Sequence, residues 1–210
     1  SVLLCLTMVM GLLPQATVQA AETEHKHCVC GAKHQAIGDH TAEAETEFTA
    51  WTSTDSLPNT AGNYYLTDNV SISNTWQPAN GTVLCLNGKT IACTGDTKTA
   101  VFVGTGVSFT LTDCGTTGKL THAEGIGGHA LYNGGRFTMY DGSISDNNGR
   151  STGGGVDNAG AFIMYGGSIL NNNSNGFFGG GVFNGNQSTF VMYDGTISGN
   201  KGYDGAGVYN

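Results

Sequence analysis

Short stretches with alternating apolar and polar residues recur along the second half of the chain. Three of them align as Phe-x-Met-Tyr-(Asp/Gly)-Gly-(Ser/Thr)-Ile and occupy Phe137–Ile144, Phe162–Ile169 and Phe190–Ile197. A period of two places every second side chain on the same face of an extended chain, which is typical of a β-strand with one buried face. The glycine inside each stretch indicates a turn. Each stretch therefore predicts two short strands that meet at a corner.

These stretches repeat with a nearly constant period. Met139, Met164 and Met192 are separated by 25 and 28 residues, and degenerate copies of the pattern lie earlier in the chain. A fixed period of roughly 20 to 50 residues is typical of a solenoid. Glycine pairs disfavour a helical repeat, because each glycine costs about 1 kcal/mol inside a helix. The period predicts an all-β parallel β-helix with 25–28 residues per coil over residues 63–210, which we expect to continue beyond the last residue.

The pattern also assigns side chains to the inside and the corners of the coils. The Phe, Met and Ile of each stretch point inward and stack on their equivalents in the next coil. Asparagines at one register after the Ile predict a ladder of side-chain hydrogen bonds, with the asparagines in the left-handed turn conformation. Glycine runs such as Gly153–Gly155 mark tight corners at which a Cβ atom would clash. The asparagines of the predicted ladder are Asn147, Asn172 and Asn200.

The N-terminus has the character of a targeting segment. Val2–Leu13 is an apolar run shorter than the roughly 20 residues that a transmembrane helix needs. Small side chains at Val18 and Ala20 are typical of a secretory cleavage site. We expect residues 1–20 to be a truncated signal peptide, the mature chain to have no transmembrane segment, and the protein to be secreted or displayed at the cell surface.

Two further segments precede the repeats. Residues 21–47 form a polar leader rich in Cys and His, which is a candidate zinc-binding cap. Residues 48–62 form a linker or N-terminal cap of the solenoid, with Phe48, Trp51 and Leu57 as apolar anchors.

Composition and charge exclude several classes of protein. Only 11% of the residues are charged, and 34 glycines without a three-residue period accompany 3 prolines. These values argue against a coiled coil and against collagen. The chain carries 8 Lys and Arg against 16 Asp and Glu, which gives a net charge of −8. Because the chain has no basic patch, we expect no nucleic-acid partner.

The repeat resembles that of a known family. Phe-x-Met-x-(Asp/Gly)-Gly-(Ser/Thr)-Ile, followed by Asn and by Gly-Gly-Gly-Val-x-Asn, is similar to the repeats of right-handed parallel β-helix (pectin-lyase-like) surface proteins of Gram-positive anaerobes. The resemblance covers about 82–210 and extends distantly to polymorphic outer-membrane adhesins. It implies a right-handed solenoid and an adhesin-like protein whose outer faces bind carbohydrate or host surfaces. The alternative is a polysaccharide-active enzyme, a glycoside hydrolase or lyase of the same fold.

The leader contains the residue types that bind zinc. Thiolate and imidazole are the preferred ligands of tetrahedral Zn²⁺, and a closed structural site needs four of them. Cys28, Cys30, His34 and His40 supply such a set. The alternative is an unstructured polar leader with incidental thiols, since the Cys-x-Cys spacing is tighter than usual.

Three more cysteines, Cys85, Cys93 and Cys114, lie in the early coils. A secreted chain favours disulfides. The mature chain keeps an odd number of cysteines, however, and cysteine is also a common buried residue. One disulfide with one free thiol and three buried thiols both fit the sequence.

Two carboxylates are the best candidates for catalysis. Asp113 and Asp141 occupy the same coil position, 28 residues apart. Neighbouring coils are about 4.8 Å apart, and carboxyl groups about 5 to 9 Å apart suit glycoside hydrolysis. The alternative is a structural role, because Asp before Gly also favours a turn.

Three tyrosines are the best candidates for ligand binding. Tyr140, Tyr165 and Tyr193 follow the inward-facing Met of each stretch, so they face outward, one per coil. An exposed aromatic stripe on a parallel sheet stacks on sugar rings or on a partner surface. The alternative is that each Tyr packs beneath an overlying turn.

Overall fold

The computed structural model describes residues 25–30 and 44–210. The signal-peptide segment, most of the leader, and with it His34 and His40, lie outside the described residues. Within the described ranges all regular structure is β, and the parallel strands stack as a β-solenoid of about 5 turns. The predicted all-β solenoid is therefore confirmed. None of the described residues belongs to a helix long and apolar enough to cross a membrane.

The strands are short because a corner interrupts the chain every few residues. In chain order they are His25–His27 (β1), Thr46–Trp51 (β2), Asn63–Leu66 (β3), Val70–Ile72 (β4), Thr82–Cys85 (β5), Thr90–Cys93 (β6), Val101–Val103 (β7), Ser108–Thr112 (β8), Lys119–His122 (β9), Leu131–Asn133 (β10), Arg136–Met139 (β11), Ser143–Ser145 (β12), Val156–Asn158 (β13), Ala161–Met164 (β14), Ser168–Leu170 (β15), Val182–Asn184 (β16), Thr189–Met192 (β17), Thr196–Ser198 (β18) and Val208–Tyr209 (β19).

Each complete coil gives one strand to each of three sheets. The first sheet has the order β1-β2-β3-β5-β8-β11-β14-β17, the second β4-β6-β9-β12-β15-β18 and the third β7-β10-β13-β16-β19. All strand pairs are parallel except β1 with β2, which is antiparallel. A given sheet position is therefore filled by residues one coil apart in sequence.

The register of the repeats follows the sequence alignment. Met139 pairs with Met164, which pairs with Met192, and the phenylalanines two residues earlier pair in the same way. The rings of Phe137 and Phe162 stack at 4.8 Å in a core where the Phe and Met of these two coils are fully buried. Met192 is 39% exposed because its strand is the last of the first sheet in the described chain. The predicted inward faces are confirmed.

The predicted asparagine ladder is present at the end of the second sheet. The Oδ1 atom of Asn172 accepts hydrogen bonds from the backbone N and the Nδ2 of Asn147, at 3.1 and 2.9 Å. In the same way, the Oδ1 atom of Asn200 accepts hydrogen bonds from the backbone N and the Nδ2 of Asn172. The left-handed conformation lies one residue earlier than predicted, at Asp146, Asn171 and Gly199, because the ladder asparagines must aim their amides along the solenoid axis.

A second ladder of the same kind runs through the end of the third sheet. Each Nδ2 donates to the Oδ1 of the equivalent residue in the next coil, over distances of 2.6 to 2.7 Å. The residues of this ladder are Asn133, Asn158, Asn184 and Asn210. Close packing beside the first ladder requires glycine, since a Cβ at Gly155 would lie 2.6 Å from the carbonyl oxygen of Gly181 and 3.0 Å from the Nδ2 of Asn172.

The first sheet extends N-terminally past Asn63. The strand β2 pairs in parallel with β3, and β1 from the leader adds an antiparallel edge strand. The anchors Phe48 and Leu57 are buried, and Trp51 packs against the core. The leader segment is thus fastened to the first coils of the solenoid, next to the turns that follow β5 and β8.

Candidate ligand groove and metal-binding group

A groove of about 690 Å³ follows the corner between the first and second sheets. Its floor is the Tyr-(Asp/Gly)-Gly-(Ser/Thr) corner of successive coils, and its N-terminal end is formed by Cys30 and Asp113. We call it the corner groove. The corner segments that line it are Tyr140–Ser143, Tyr165–Ser168 and Asp194–Thr196.

The three predicted tyrosines form one stacked column beside this groove. The ring centroids of Tyr140 and Tyr165 are 4.9 Å apart, those of Tyr165 and Tyr193 are 5.1 Å apart, and the rings are nearly parallel. Tyr165 is only 9% exposed, whereas Tyr193 is 40% exposed. Because neighbouring rings cover both faces of Tyr165, a sugar ring cannot stack on it. The column therefore does not present an open ring face in every coil, as the sequence suggested.

The two predicted carboxylates have different surroundings. Asp113 is 1% exposed, and its Oδ1 accepts from the backbone N–H of Gly88 and Gly115 while its Oδ2 accepts from that of Gly118. These three hydrogen bonds tie two coils together, so the carboxylate of Asp113 serves a turn. Asp141 lies in the next coil, half-buried, with its Oδ1 accepting from the Gly142 N–H at 2.8 Å.

The charge of the corner groove is mainly negative. Within the described ranges, three carboxylates and one cation line it: Asp113, Asp141, Asp194 and Lys119. The Lys119 ammonium lies 2.5 Å from the carboxylate of Asp146 and holds the pKa of that carboxyl below its ordinary value. Since this ion pair already engages the cation, the groove presents carboxylates and hydroxyl groups to a ligand.

The zinc ligands expected from the leader are not assembled as predicted. Cys28 and Cys30 form a disulfide, so neither sulfur is a thiolate that can bind an ion. His34 and His40 lie outside the described residues. The physical reason is the short spacing: two cysteines separated by one residue, with Cα atoms 5.0 Å apart, are within reach of each other.

A different set of donors converges where the leader meets the solenoid. One ligand atom from each of His25, His27, Cys85 and Cys114 lies within 4.8 Å of all the others. The two sulfurs are 3.2 Å apart, and the Cys114 sulfur lies 3.3 Å from the Nε2 of His25. We call these four residues the His/Cys group; its chemistry is that of a metal-binding group.

The pKa values of the two thiols in the His/Cys group are shifted in opposite directions. A hydrogen bond from the Cys85 thiol lowers the pKa of Cys114 to about 4, and the two histidines add to this effect against that of burial. The same hydrogen bond, together with burial, raises the pKa of Cys85. Burial by itself would lower the pKa of His27, but Cys114 and the Cys28 carbonyl raise it on balance.

Sequence reasoning missed this group although two signals were present. His25 and His27 are separated by one residue, so on a strand they share a face. Cys85 and Cys114 are 29 residues apart, which is close to one coil, so neighbouring coils bring them together. The sequence did not indicate that β1 pairs with β2, and this pairing places the two histidines over these coils.

The third cysteine of the early coils belongs to a separate environment. Cys93 is fully buried and pairs in register with His122 on the neighbouring strand. His122 is itself buried, with its Nδ1 2.8 Å from the Oδ1 of Asn147 and its Nε2 3.0 Å from the Lys98 carbonyl oxygen. It therefore begins the asparagine ladder of the second sheet.

Comparison of the chain with protein-family models, with curated proteins and with solved structures finds no match.

Proposed function

We propose that this chain is a secreted or cell-surface β-helix repeat protein, adhesin-like, that binds extended carbohydrate along the corner groove. The observation that carries the proposal is the register of the groove: the same corner motif lines it in successive coils. Coils repeat at about 4.8 Å. A polymer with a regular repeat therefore meets a hydroxyl group in each of the three corner segments, a carboxylate in two of them and a tyrosine in two of them.

The charge of the groove favours neutral glycans as the ligand class. Carboxylates accept hydrogen bonds from sugar hydroxyls but repel uronic and sialic acids. Among the described residues that line the groove, the one cation is Lys119, and it is engaged with Asp146. The net charge of −8 has the same effect at longer range.

The surface location is supported by the N-terminal sequence. Residues 1–20 have the pattern of an export signal, and the repeat resembles that of pectin-lyase-like surface proteins of Gram-positive anaerobes. The low charge and regular repeats suit a rigid display protein whose partner is a glycan or a host surface.

The alternative is a polysaccharide-active enzyme, and one observation favours it. Asp113 and Asp141 line the same groove. The surroundings of Asp113 argue against a catalytic role, because three backbone N–H groups already occupy its two oxygens in a buried turn. A general acid or base must exchange a proton with the substrate, which such an arrangement hinders.

A matched pair of tyrosine variants tests the groove. Tyr140 and Tyr132 are both half-buried and each stacks on a ring in a neighbouring coil, at 4.9 and 5.0 Å, but only Tyr140 lines the groove. We expect the protein to bind neutral glucans on a glycan array, Tyr140→Ala to weaken that binding about tenfold, and Tyr132→Ala to leave it unchanged. Equal losses in both variants would contradict the assignment of the groove.

Parallel reducing-end assays separate binding from catalysis. We expect no turnover of glucans, pectins or mucins by the wild-type chain. Turnover that disappears in Asp141→Asn, with folding intact, would establish the enzyme and overturn the adhesin-like reading. Asp113→Asn is less informative because it also removes turn hydrogen bonds.

A structural zinc ion is part of the proposal. Two thiols and two imidazoles converge where the leader is attached to the first coils, and this ligand chemistry is the one that Zn²⁺ prefers. An ion at this junction fastens the leader, so its role is structural.

A further inference from the structure

Four donor atoms from three distant segments meet at one point beside the first sheet. The imidazoles come from β1, Cys85 ends β5, and Cys114 lies in the turn after β8, 89 residues from His25. With Zn–S bonds of about 2.3 Å and Zn–N bonds of about 2.0 Å, neighbouring ligand atoms of a tetrahedral site lie roughly 3.3 to 3.8 Å apart. The Cys114 sulfur lies 3.3 Å from the Nε2 of His25, close to the S–N edge of about 3.5 Å. The two sulfurs are 3.2 Å apart and would move apart to the S–S edge of about 3.8 Å when an ion binds.

His27 supplies an independent sign that a ligand belongs here. Its Nδ1 lies 2.5 Å from the carbonyl oxygen of Cys28, so that nitrogen carries the proton and donates it. Its Nε2 is then an acceptor, and it is buried without a hydrogen-bond partner in the described chain. A carbonyl that holds the distal N–H of an imidazole is the usual support for a histidine that binds a metal through its other nitrogen.

Aromatic packing fixes both imidazoles in place. The ring of His25 stacks on Tyr65 with centroids 3.9 Å apart, and the ring of His27 stacks on Phe48 with centroids 4.1 Å apart. A ligand set that is held by packing loses little conformational freedom when it closes on an ion. Three of the four residues are half-buried, whereas Cys85 is fully buried.

From these observations we infer that His25, His27, Cys85 and Cys114 are the ligands of a tetrahedral Zn²⁺ site that fastens the leader to the solenoid. The inference rests on the structural zinc proposed above and assigns its ligands. Two imidazoles and two thiolates in a closed tetrahedron favour zinc over the hard cations, which take oxygen ligands. The site cross-links β1 to two successive coils.

A disulfide between Cys85 and Cys114 is the alternative to a zinc site, because it uses the same two sulfur atoms. A disulfide bond is about 2.05 Å long, and it would consume both sulfur ligands. The two sulfurs lie 3.2 Å apart as thiols. The two states are mutually exclusive, so one experiment distinguishes them.

The test measures bound zinc in the full chain, purified without a histidine tag. We expect close to one Zn²⁺ per chain. Co²⁺ in its place should give the thiolate charge-transfer band and the intense d–d bands of a tetrahedral site. Cys114→Ser and His27→Gln should each lower zinc affinity at least about tenfold. The matched control Cys28→Ser/Cys30→Ser changes the cysteines that the leader sequence suggested, and it should retain the ion.

Each other outcome overturns the inference in a distinguishable way. Loss of zinc in the Cys28→Ser/Cys30→Ser variant, with retention in Cys114→Ser, would keep a structural zinc but refute its ligands. If the wild-type chain holds no stoichiometric zinc, both the structural zinc ion and the assignment of its four ligands are refuted. A Cys85–Cys114 disulfide, found by mass spectrometry of the unreduced protein, would also refute the site. Glycan binding is measured separately, so its failure leaves this result untouched.

Discussion

Buried polar side chains in this protein are held by groups of the neighbouring coils. Asp113 accepts three backbone N–H groups, one of them from the preceding coil. His122 has to donate hydrogen bonds instead of accepting them, because an oxygen acceptor faces each of its ring nitrogens. A neutral imidazole satisfies one acceptor, whereas the imidazolium satisfies both. The fold therefore favours the charged form of His122.

The first prediction concerns the pH dependence of stability. Burial alone would lower the pKa of His122, but Cys93, Asn147 and the Lys98 carbonyl raise it above 6.5 on balance. Because the pKa is higher in the folded state, the stabilisation is complete below about pH 6.5 and is lost as pH rises through the folded value. We expect the free energy of unfolding, measured with urea, to fall across that window.

His122→Gln provides the control for this prediction. Glutamine does not titrate, so the difference in unfolding free energy between wild type and variant should shrink as pH rises. The comparison also removes the contributions of the other histidines, which both proteins share. A difference that is independent of pH would show that folding does not shift the pKa of His122, and a difference that grows with pH would show that the fold favours the neutral imidazole.

At the scale of elements, the asparagine ladders hold corners where no regular strand pairing operates. Asn172 connects its own coil to both neighbouring coils, since it accepts from Asn147 and donates to the Oδ1 of Asn200 and to the carbonyl of Ile144. The residue before it, Asn171, adopts the left-handed conformation with φ of 55°. A corner thus uses two residues in succession: one that adopts the left-handed backbone, which is Asp, Asn or Gly here, and one ladder asparagine.

Breaking one ladder measures its contribution to the free energy of unfolding. Asn172→Ala leaves buried groups of Asn147 and Ile144 without their partner, and each such group costs about 1 to 3 kcal/mol. We expect the unfolding free energy to drop by at least about 2 kcal/mol in chemical denaturation. The control Asn148→Ala changes an exposed asparagine of the same corner and should stay within about 0.5 kcal/mol of wild type. Similar losses in both variants would refute the ladder as a source of stability.

At the scale of the whole molecule, the solenoid buries its core only by stacking. The Phe and Met of a middle coil are fully buried, whereas Met192 in the last described coil is 39% exposed. The stability of such an array is approximately a sum of contributions from coils and from their interfaces. The leader covers the other end through β1, so the two ends of the described array differ.

Removal of one coil tests this additivity. A chain that ends at residue 185 lacks β17, β18 and β19 and exposes Phe162 and Met164 at the new end. We expect it to stay folded, with a lower urea midpoint and an m-value reduced by roughly one fifth, because m scales with the surface exposed on unfolding. The measurement is urea denaturation followed by circular dichroism. An unchanged m-value would mean that the removed coil does not unfold with the others.

The sequence by itself determined the repeating part of this protein. The coil period, the inward Phe, Met and Ile, and the ladder through Asn147, Asn172 and Asn200 follow from a fixed offset, because each coil contacts its neighbours at the same register. A contact that recurs every coil leaves a periodic signal in the sequence, and such a signal can be read without coordinates.

Only the tertiary structure decided the parts that occur once. The disulfide of the leader, the convergence of His25 with Cys114 and the three hydrogen bonds of Asp113 depend on the path of the chain at one end of the solenoid. The covered faces of Tyr165 depend on ring orientation, which spacing does not specify. Non-periodic contacts join segments of unrelated sequence position, so no pattern along the chain encodes them.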